Sequence, residues 1–320
     1  MLSNAKPFLK WAGGKTQLIA EIEKTLPQKI KKEKFTYIEP FVGSGAILFW
    51  MIDKFPKLER AVINDVNADL INAYKVIASK HRELISILAD LQKEYHSLQN
   101  KEEKKKEYYY EKRKLYNTRE TNKVTQAAFF IFLNRTCFNG LYRVNSKNEF
   151  NVPMGSYKAP TICNAENIYA VNSVLQKVEI LCGDFEDTLT KASKNSLFYF
   201  DPLYKPLSET SSFNSYAKDD FNDNEQIRLR NFCSKLESLG HKWILSNSDV
   251  KGKNPKDNFF DDIYAKFYIA RVKARRTINA NPEKRNYLGV PLRVGLSASI
   301  FLSYGTKRIS ATIPYAKTAA

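Results

Sequence analysis

Short apolar runs alternate along the chain with stretches whose apolar residues recur at helical spacing. Five of the runs are five or six residues long and rich in β-branched or aromatic side chains: Phe35–Glu39, Arg60–Asn64, Val178–Cys182, Ser196–Asp201 and Lys242–Asn247. Runs of this length and composition predict buried strands. Because helical patterns separate most of them, we expect an α/β fold with a doubly wound parallel sheet, in which ligands bind beyond the carboxyl ends of the strands.

A long stretch in the first half of the chain lacks the residues that end helices. Residues 46–139 contain no glycine and a single proline, Pro56. Apolar positions inside it follow helical spacing: Leu84, Ile85, Leu88, Leu91, Tyr95 and Leu98. The composition therefore predicts long helices. A run of mixed charge, Lys101 to Lys106, is expected to be a solvated helix face or a connection between helices rather than a DNA contact.

Two short β-prone runs flank a polar turn between Asn139 and Pro153, which predicts a hairpin. We therefore expect a helical and β-hairpin insertion over residues 76–163. The α/β domain would comprise residues 1–75 and 164–304, with the β-prone segment Ser297 to Tyr304 as its last strand. Residues 305–320 are expected to form a flexible tail.

Positive charge dominates the composition, with 51 Lys and Arg against 34 Asp and Glu and a net charge of +17. Such a surplus favours a polyanionic partner, either nucleic acid or an acidic membrane surface, although a merely soluble basic surface has the same composition. The longest apolar runs, such as Ala127 to Leu133, are far shorter than a membrane-spanning helix, and the N-terminus has no apolar signal core. We expect a cytoplasmic protein with no membrane partner.

Cysteine and histidine form no metal-binding or disulfide pattern. No C-x-x-C pair occurs among Cys137, Cys163, Cys182 and Cys233. No H-E-x-x-H motif occurs among His81, His96 and His241. These residues are expected to pack in the core or lie on the surface, without a metal.

Two glycine pairs suggest phosphate or nucleoside chemistry. The segment Ala12 to Thr16 ends as a P-loop does, but Leu9 occupies the position of the first P-loop glycine, so this type of nucleotide site is not expected. The second pair, Gly43 and Gly45, follows a predicted strand and precedes a predicted helix. Glycines there allow a tight turn and a close approach of the backbone to a ligand.

Asp65 follows the next predicted strand, 20 residues after Gly45. A carboxylate at that distance from a glycine turn is typical of a group that accepts hydrogen bonds from a ribose. The alternative is the N-cap of the following helix. In combination with the glycine turn, Asp65 favours a nucleoside-containing cofactor.

The tetrapeptide Asp201-Pro202-Leu203-Tyr204 stands at the carboxyl end of a predicted strand. The carboxylate and the proline carbonyl are acceptors for the two N–H groups of a planar amine, and the tyrosine ring can stack on its plane. An Asp-Pro pair is also an ordinary exit from a strand into a turn. The tetrapeptide alone is thus compatible with either role.

Taken in order, these motifs resemble those of the DNA adenine methylase (Dam) family. The resemblance covers residues from about Lys6 to Arg285 and rests on four segments: Phe8 to Lys15, Glu39 to Gly45, Asn139 to Arg143 with Phe150 to Pro153, and the Asp-Pro-x-Tyr element. It implies a Rossmann-like methyltransferase fold with an inserted DNA-recognition domain in the α-class order. It also implies methyl transfer from S-adenosylmethionine to N6 of adenine in double-stranded DNA containing GATC.

The resemblance assigns roles to particular residues. The cofactor-binding positions are Trp11, Lys15, Pro40, Phe41, Gly43, Gly45, Asp65, Asp184 and Asp201, with Asp65 at the ribose and Asp184 near the adenine of the cofactor. The catalytic positions are Asp201, Pro202 and Tyr204. The DNA-binding positions are Lys10, Phe138, Leu141, Arg143, Pro153 and Tyr157, with Lys10 at an outer base and Arg143 suited to a guanine edge.

The chain departs from the family pattern at two places. Leu203 stands where the family has a second proline, and residues 287–320 contain no acidic side chain. A sequence-specific DNA-binding protein that has lost catalysis through Leu203 is the main alternative. A Rossmann dehydrogenase would explain the glycine turn and Asp65 but would leave the hairpin without a role. Whether a cognate restriction endonuclease acts separately beside this protein stays open.

Overall fold

The computed structural model describes residues 4–11, 18–203, 221–248, 254–275 and 297–304. The described strands are β1 (Phe35–Glu39), β2 (Leu58–Ile63), β3 (Val178–Ile180), β4 (Ser196–Phe200), β5 (Lys242–Ser248), β6 (Tyr268–Arg275) and β7 (Ser297–Tyr304). The described α-helices are α1 (Ile19–Thr25), α2 (Ala46–Lys54), α3 (Ala68–Ser97), α4 (Glu102–Thr118), α5 (Lys123–Thr136), α6 (Ala165–Leu175), α7 (Asp223–Ser238) and α8 (Phe259–Ile263). Helices and strands alternate as the sequence pattern predicts.

The strands form a single mixed sheet in the order β3-β2-β1-β4-β5-β7-β6. The first five are parallel, whereas β7 is antiparallel to both of its neighbours. The five strands predicted from the sequence are these parallel strands, with ends that differ by at most two residues. The prediction of a doubly wound, Rossmann-like α/β fold is therefore confirmed.

Both faces of the sheet are covered, which explains the continuous apolar runs of its central strands. Side chains alternate between faces along a strand. Tyr37 of β1 and Tyr199 of β4 belong to the larger core, which includes α2 to α6. Their sequence neighbours Ile38 and Phe198 belong to a second core formed with α7. Every residue of β1 and β4 is buried as a result.

The last two strands of the chain do not follow their chain order in the sheet. The segment Ser297–Tyr304 is the last strand of the chain, as predicted, and it lies between β5 and β6. The edge is formed by Tyr268–Arg275, which the sequence analysis did not assign as a strand. The composition of Ser297–Tyr304 indicates a strand, whereas its place in the order depends on pairing with distant residues.

Helix α3 bends at Lys80, whose φ of −137° and ψ of 32° are not helical. The carbonyls of Ile77 and Ala78 accept hydrogen bonds from the amide of Asn172 on α6, at 2.8 and 3.0 Å. The Asn172 side chain therefore donates to two helix carbonyls next to the bend, where an inserted side chain is a known cause of a kink. The bend lies close to position 76, where the insertion is expected to begin; the domain boundaries themselves stay predictions.

The insertion is built around α5, which is buried along most of its length. The mixed-charge run before it corrects one expectation, because Lys105 is only 3% exposed. Its ammonium donates to the carbonyl of Tyr157 at 2.9 Å and lies 5.0 Å from the centre of the Tyr95 ring. The remainder of Lys101 to Lys106 is exposed, as expected for a solvated helix face.

The predicted hairpin is present in a shorter form. A single antiparallel bridge joins Val144 and Phe150, and Asn148 donates its N–H to the carbonyl of Asn145 at 2.9 Å across the turn. The expected first arm instead begins as a short 3-10 helix, Phe138–Gly140. We refer to residues 138–157 as the recognition loop.

None of the described helices is long and apolar enough to cross a membrane.

Candidate functional site

The candidate site lies at the carboxyl edge of the sheet, where the strand order changes direction between β1 and β4. This position is the usual ligand crevice of an open α/β sheet. The loop that follows β1 turns sharply, with φ of 49° at Gly43 and 74° at Gly45. Side chains other than glycine rarely adopt these angles. Gly45 is also the N-cap of α2, so the helix begins directly at the crevice.

The glycine loop is packed closely from both sides. Trp11 lies against Gly43, where an added Cβ would be 3.1 Å from the indole. Tyr74 of α3 donates its hydroxyl to the carbonyl of Gly43 at 3.0 Å. A Cβ on Gly45 would lie 2.6 Å from the same hydroxyl. The predicted positions Trp11, Gly43 and Gly45 are therefore brought together by the fold.

Asp65 contacts the glycine loop directly. Its carboxylate accepts the N–H of Gly43 at 3.2 Å and that of Asn67 at 3.0 Å. The N-cap of α3 is Asn67, so the alternative role of Asp65 as the helix cap is wrong. Burial raises the pKa of Asp65 from 3.8 to about 6, against the opposing effect of these hydrogen bonds. A carboxylate in this state is stabilised by any ligand that brings donors or positive charge.

A second buried carboxyl group, which the sequence analysis did not select, lies beside it. Glu39 is 2% exposed at the end of β1 and accepts the hydroxyl of Tyr37 at 2.9 Å. Burial raises its pKa well above the usual value, and the nearby charges of Asp201 and Asp65 raise it further. Glu39, Asp65 and Asp201 are thus close enough to interact electrostatically, and a positively charged ligand beside them would favour their ionised forms.

The segment after β4 runs from the half-buried Asp201 through the buried Pro202 to Leu203. The Leu203 side chain is 61% exposed, but its carbonyl accepts a hydrogen bond from the amide of Gln226 on α7 at 3.4 Å. Asn247 of β5 donates to the other end of that amide at 2.9 Å and so fixes its orientation. A bond of 3.4 Å is long, so this clamp restrains the segment weakly.

Two of the predicted site residues, Lys15 and Tyr204, lie outside the described residues.

Asp184 occupies the next position along the crevice, after β3, and caps the 3-10 helix Phe185–Lys191. Arg228 of α7 donates to both of its carboxylate oxygens, at 2.9 and 2.6 Å. Burial acts to raise the pKa of Asp184, but hydrogen bonds from Arg228 and from the backbone outweigh it and lower the pKa. The guanidinium also lies 4.2 Å from the centre of the Phe185 ring. Its ion pair spans 44 residues, and no local pattern in the sequence indicates it.

Apolar rings that adjoin these carboxylates in the sequence pack against one another. Phe41 lies 5.5 Å from Phe185 and 6.4 Å from Phe200, measured between ring centres. The carbonyl of Pro40 accepts the amide of Asn64 at 3.2 Å. Asn64 also donates to the carbonyl of Gly183, so it connects the loops that follow β1 and β3. Acidic groups next to packed aromatic rings suit a ligand with a flat ring and a positive charge.

The predicted DNA-binding residues gather on the recognition loop and the segment that faces it. The Lys10 ammonium lies 3.7 Å from the centre of the Tyr157 ring. Phe138 donates its N–H to the carbonyl of Pro153 at 2.9 Å. Leu141 follows one turn after Phe138 and is partly exposed. Lys10 with Tyr157 and Phe138 with Pro153 thus form two contacting pairs, and four of the five residues belong to the recognition loop.

Arg143 lies further along the same loop. Its Nε donates to the side chain of Asn151 at 2.7 Å, and one terminal nitrogen faces the Asn151 carbonyl at 3.5 Å. A guanidinium has five N–H donors, so these contacts orient the group and leave donors for a further partner.

The recognition loop and the glycine loop are joined by an aromatic pair. Trp11 stacks on Tyr142 with ring centres 5.8 Å apart and an interplanar angle of 22°. The Tyr142 hydroxyl donates to Asp69 at 3.2 Å, and Asp69 also pairs with Arg119 at 2.6 Å. Tyr142 was not among the predicted site residues, although it stands between two of them in the sequence.

Within the described residues, no group of three His, Cys, Asp or Glu side chains is arranged to hold a metal ion.

Comparison with known proteins identifies the class to which this site belongs. The sequence pattern of the D12 class N6 adenine-specific DNA methyltransferases matches residues 11–278, and the chain belongs to this family. It is an adenine-specific DNA methyltransferase, and this class of reaction requires a methyl donor and DNA.

Several curated relatives match over most of the chain. The type II methyltransferase M.MjaIII of Methanocaldococcus jannaschii is 48% identical over 281 residues, which cover 88% of this chain and 95% of that protein. The DNA adenine methylase of Haemophilus influenzae is 37% identical over 281 residues, which cover 88% and 90%. The type II methyltransferase M1.LlaDCHI of Lactococcus lactis subsp. cremoris is 37% identical over 284 residues, which cover 88% and 92%.

The raised pKa of Asp65 leads to a testable pH dependence. If Asp65 binds a ribose, as the sequence predicts, its carboxylate must be ionised to accept the hydroxyl, so below pH 6 a proton must first leave Asp65. We expect the affinity for S-adenosylhomocysteine, measured by calorimetry, to fall about tenfold from pH 7 to pH 5. In Asp65→Asn the affinity should be low at both pH values, with the fall largely abolished. An equal fall in parent and variant would assign the titration to another group.

Proposed function

We propose that this protein transfers a methyl group from S-adenosylmethionine to N6 of adenine in double-stranded DNA, with GATC as its site. The observation that supports this function most strongly is the position of Asp201 and Pro202. They lie at the carboxyl end of β4, in the same crevice as the acidic pair Glu39 and Asp65. An acceptor for an amine thus stands beside acidic groups that favour a cation.

The residues of the crevice fit this methyl donor. S-adenosylmethionine, when bound, supplies a methyl group activated by a positively charged sulfur. The carboxylates of Asp65 and Asp201 would stabilise that cation. Asp65 would accept the ribose hydroxyls, and Asp184 with Phe185 would bind the adenine end.

The amine of adenine is a poor nucleophile because its lone pair is delocalised into the ring. Hydrogen bonds from its two N–H groups to the Asp201 carboxylate and the Pro202 carbonyl would hold the amine and concentrate the lone pair on nitrogen. Tyr204 would stack on the adenine ring. These groups act by orientation and by electrostatic stabilisation of the positive charge that develops on N6.

N6 is occupied by base pairing in duplex DNA, so the target adenine must leave the helix before it can reach Asp201. Flipping a base costs a few kcal/mol, which binding contacts must offset. The net charge of +17 supplies attraction to the phosphate backbone. Lys10, Leu141 and Arg143 would contact the bases of GATC. A cognate restriction endonuclease, where one accompanies this protein, would act on the same site as a separate protein.

Methyl transfer from radiolabelled S-adenosylmethionine tests this function. The substrate is a duplex with one GATC site, and its controls are the same duplex with GTTC and with N6-methyladenine already in both strands. We expect label in the first duplex alone. Label in the fully methylated duplex would contradict N6 of this adenine as the acceptor. Equal label in the GTTC duplex would contradict the proposed site.

A second candidate is a sequence-specific DNA-binding protein of the same fold with impaired catalysis. The observation that favours it is Leu203, whose side chain is largely exposed and whose carbonyl is held by a bond of 3.4 Å. Without a proline at this position, the backbone of Pro202 is no longer biased towards extended geometry. Tight binding to GATC DNA with no methyl transfer would support this candidate.

The variant Leu203→Pro distinguishes a tolerated change from a damaging one. Proline at 203 would restrict Pro202 to extended geometry and reduce the freedom of the segment that presents its carbonyl. We expect single-turnover methyl transfer to rise about tenfold, since about 1.4 kcal/mol of better alignment is sufficient for that. Affinity for GATC DNA should stay the same. An unchanged or lower rate would mean that the segment has adapted to leucine.

A further inference from the structure

We propose that Asn134 is a positioning residue that locks Lys10 onto the recognition loop and thereby sets specificity at the outer base pair of the DNA site. This inference rests on the proposed function, in which Lys10 contacts that base pair. Asn134 lies near the end of α5 and is 1% exposed. It would touch neither DNA nor cofactor and would act through Lys10.

The side-chain amide of Asn134 forms two hydrogen bonds with the backbone of Lys10, a pair that we call a bracket. Its oxygen accepts the Lys10 N–H at 2.8 Å, and its nitrogen donates to the Lys10 carbonyl at 2.7 Å. The same nitrogen donates to the carbonyl of Gly140, in the recognition loop, at 3.1 Å. One buried side chain therefore ties two segments that lie about 130 residues apart in the sequence. Its two N–H donors and its oxygen are all used.

Gly140 allows the recognition loop to lie directly against Lys10. It has a φ of 65°, and a Cβ built on it would lie 2.4 Å from Cβ of Lys10. The absence of a side chain thus lets the two segments touch. Leu141 and Arg143 follow directly, so the position of Lys10 is fixed relative to both of these DNA-binding residues.

The Lys10 side chain is held as well as its backbone. Its ammonium lies 3.7 Å from the centre of the Tyr157 ring. Burial, followed by the nearby charge of Arg135, lowers its pKa. A lysine side chain is otherwise flexible and loses rotamer entropy when it binds. Holding it in advance favours one contact geometry and so increases discrimination between bases.

A second asparagine provides a matched control. Asn167 of α6 brackets the backbone of Lys6 in the same manner, with both hydrogen bonds at 2.9 Å. It binds the same N-terminal segment four residues earlier, and none of its described bonds reaches the recognition loop. Asn167→Ala removes an equivalent bracket and leaves Asn134 and Gly140 in place.

The experiment measures equilibrium binding to two duplexes in the presence of S-adenosylhomocysteine. One contains GATC, or the site selected from random duplexes by the parent protein if that differs. The other has its outer base pair replaced. The ratio of the two dissociation constants is the discrimination at the outer pair. We expect Asn134→Ala and Lys10→Ala each to reduce this ratio about tenfold, and Asn167→Ala to preserve it.

The double variant Lys10→Ala with Asn134→Ala separates positioning from an independent effect. If Asn134 acts through Lys10, the double variant discriminates no less than Lys10→Ala alone. Unchanged discrimination in Asn134→Ala, equal weakening on both duplexes, or additive losses would each overturn the inference. If Asn134→Ala does not fold, as judged by circular dichroism and cofactor affinity, Gly140→Ala displaces Lys10 from the opposite side and is expected to show the same loss.

Measurements of methylation and DNA binding by the parent protein alone show whether the proposed function fails. A parent that binds but does not methylate still reports the discrimination ratio, so the inference is tested without turnover. A parent that binds both duplexes equally would refute sequence recognition and this inference together.

Discussion

Asp201→Ala is expected to reduce single-turnover methyl transfer by about 100- to 1000-fold, while the affinities for S-adenosylhomocysteine and GATC DNA change little. In the proposed function the carboxylate accepts a hydrogen bond at the reacting amine, and that bond strengthens as positive charge develops on nitrogen. Its loss therefore affects the transition state more than the bound ground state. Rapid-quench measurement with radiolabelled donor gives the rate of transfer directly.

A neighbouring carboxylate serves as the control for Asp201. Asp187 is exposed on the 3-10 helix Phe185–Lys191, at the same edge of the sheet. Asp187→Ala removes the same negative charge at a position with no proposed role and should leave transfer within about twofold. Turnover of Asp201→Ala within a few fold of the parent would remove this residue from the chemistry.

Gly45→Ala is expected to abolish measurable binding of S-adenosylhomocysteine. It is also expected to lower the free energy of unfolding by about 2–4 kcal/mol. Two costs add at this position. The φ of 74° is unfavourable for alanine, and the new Cβ would lie 2.6 Å from the hydroxyl of Tyr74. Because that hydroxyl holds the carbonyl of Gly43, relief of the clash displaces the glycine loop. Calorimetry with S-adenosylhomocysteine and thermal melting measure the two effects.

A variant of Gly240 separates the cost of the unfavourable φ from the cost of the steric clash. It has a φ of 80°, and a Cβ on it would meet nothing within 4 Å. Gly240→Ala therefore carries the backbone cost of about 1 kcal/mol without a clash, and cofactor affinity should be unchanged. If both variants lose the same stability and both keep the cofactor, the contact with Tyr74 has no role in the site.

The parallel strands could be predicted from the sequence because burial on both faces makes each of them a short, unbroken apolar run. The assignment of Ser196–Asp201, for example, ends one residue after β4. The order of β6 and β7 could not be predicted, since it depends on pairing between segments far apart in the chain. Lys105 was misjudged for a similar reason: its charge indicates solvent, whereas the carbonyl it binds belongs to Tyr157.

Part of the site could be found from local motifs, and part depends on tertiary contacts. Gly43, Gly45 and Asp65 were found because a turn between strand and helix has strict backbone requirements that leave a mark in the sequence. Arg228 was missed because its ion pair with Asp184 is formed by two distant elements. The sequence does indicate that Asn134 has partners, because it is a polar residue at the end of the apolar run in α5, where a buried amide must be hydrogen-bonded.

The position of β7 inside the sheet has a consequence for how the protein is made. The ribosome delivers β1 to β6 before Ser297–Tyr304 emerges, and chains begin to fold from the N-terminal side during synthesis. Until then, β5 has one open edge and β6 has no neighbour on either side within the described sheet. An open edge is a template for pairing with another chain. Chains truncated before residue 297 should therefore aggregate, and chaperones that cover exposed strands should bind the nascent protein late in its synthesis.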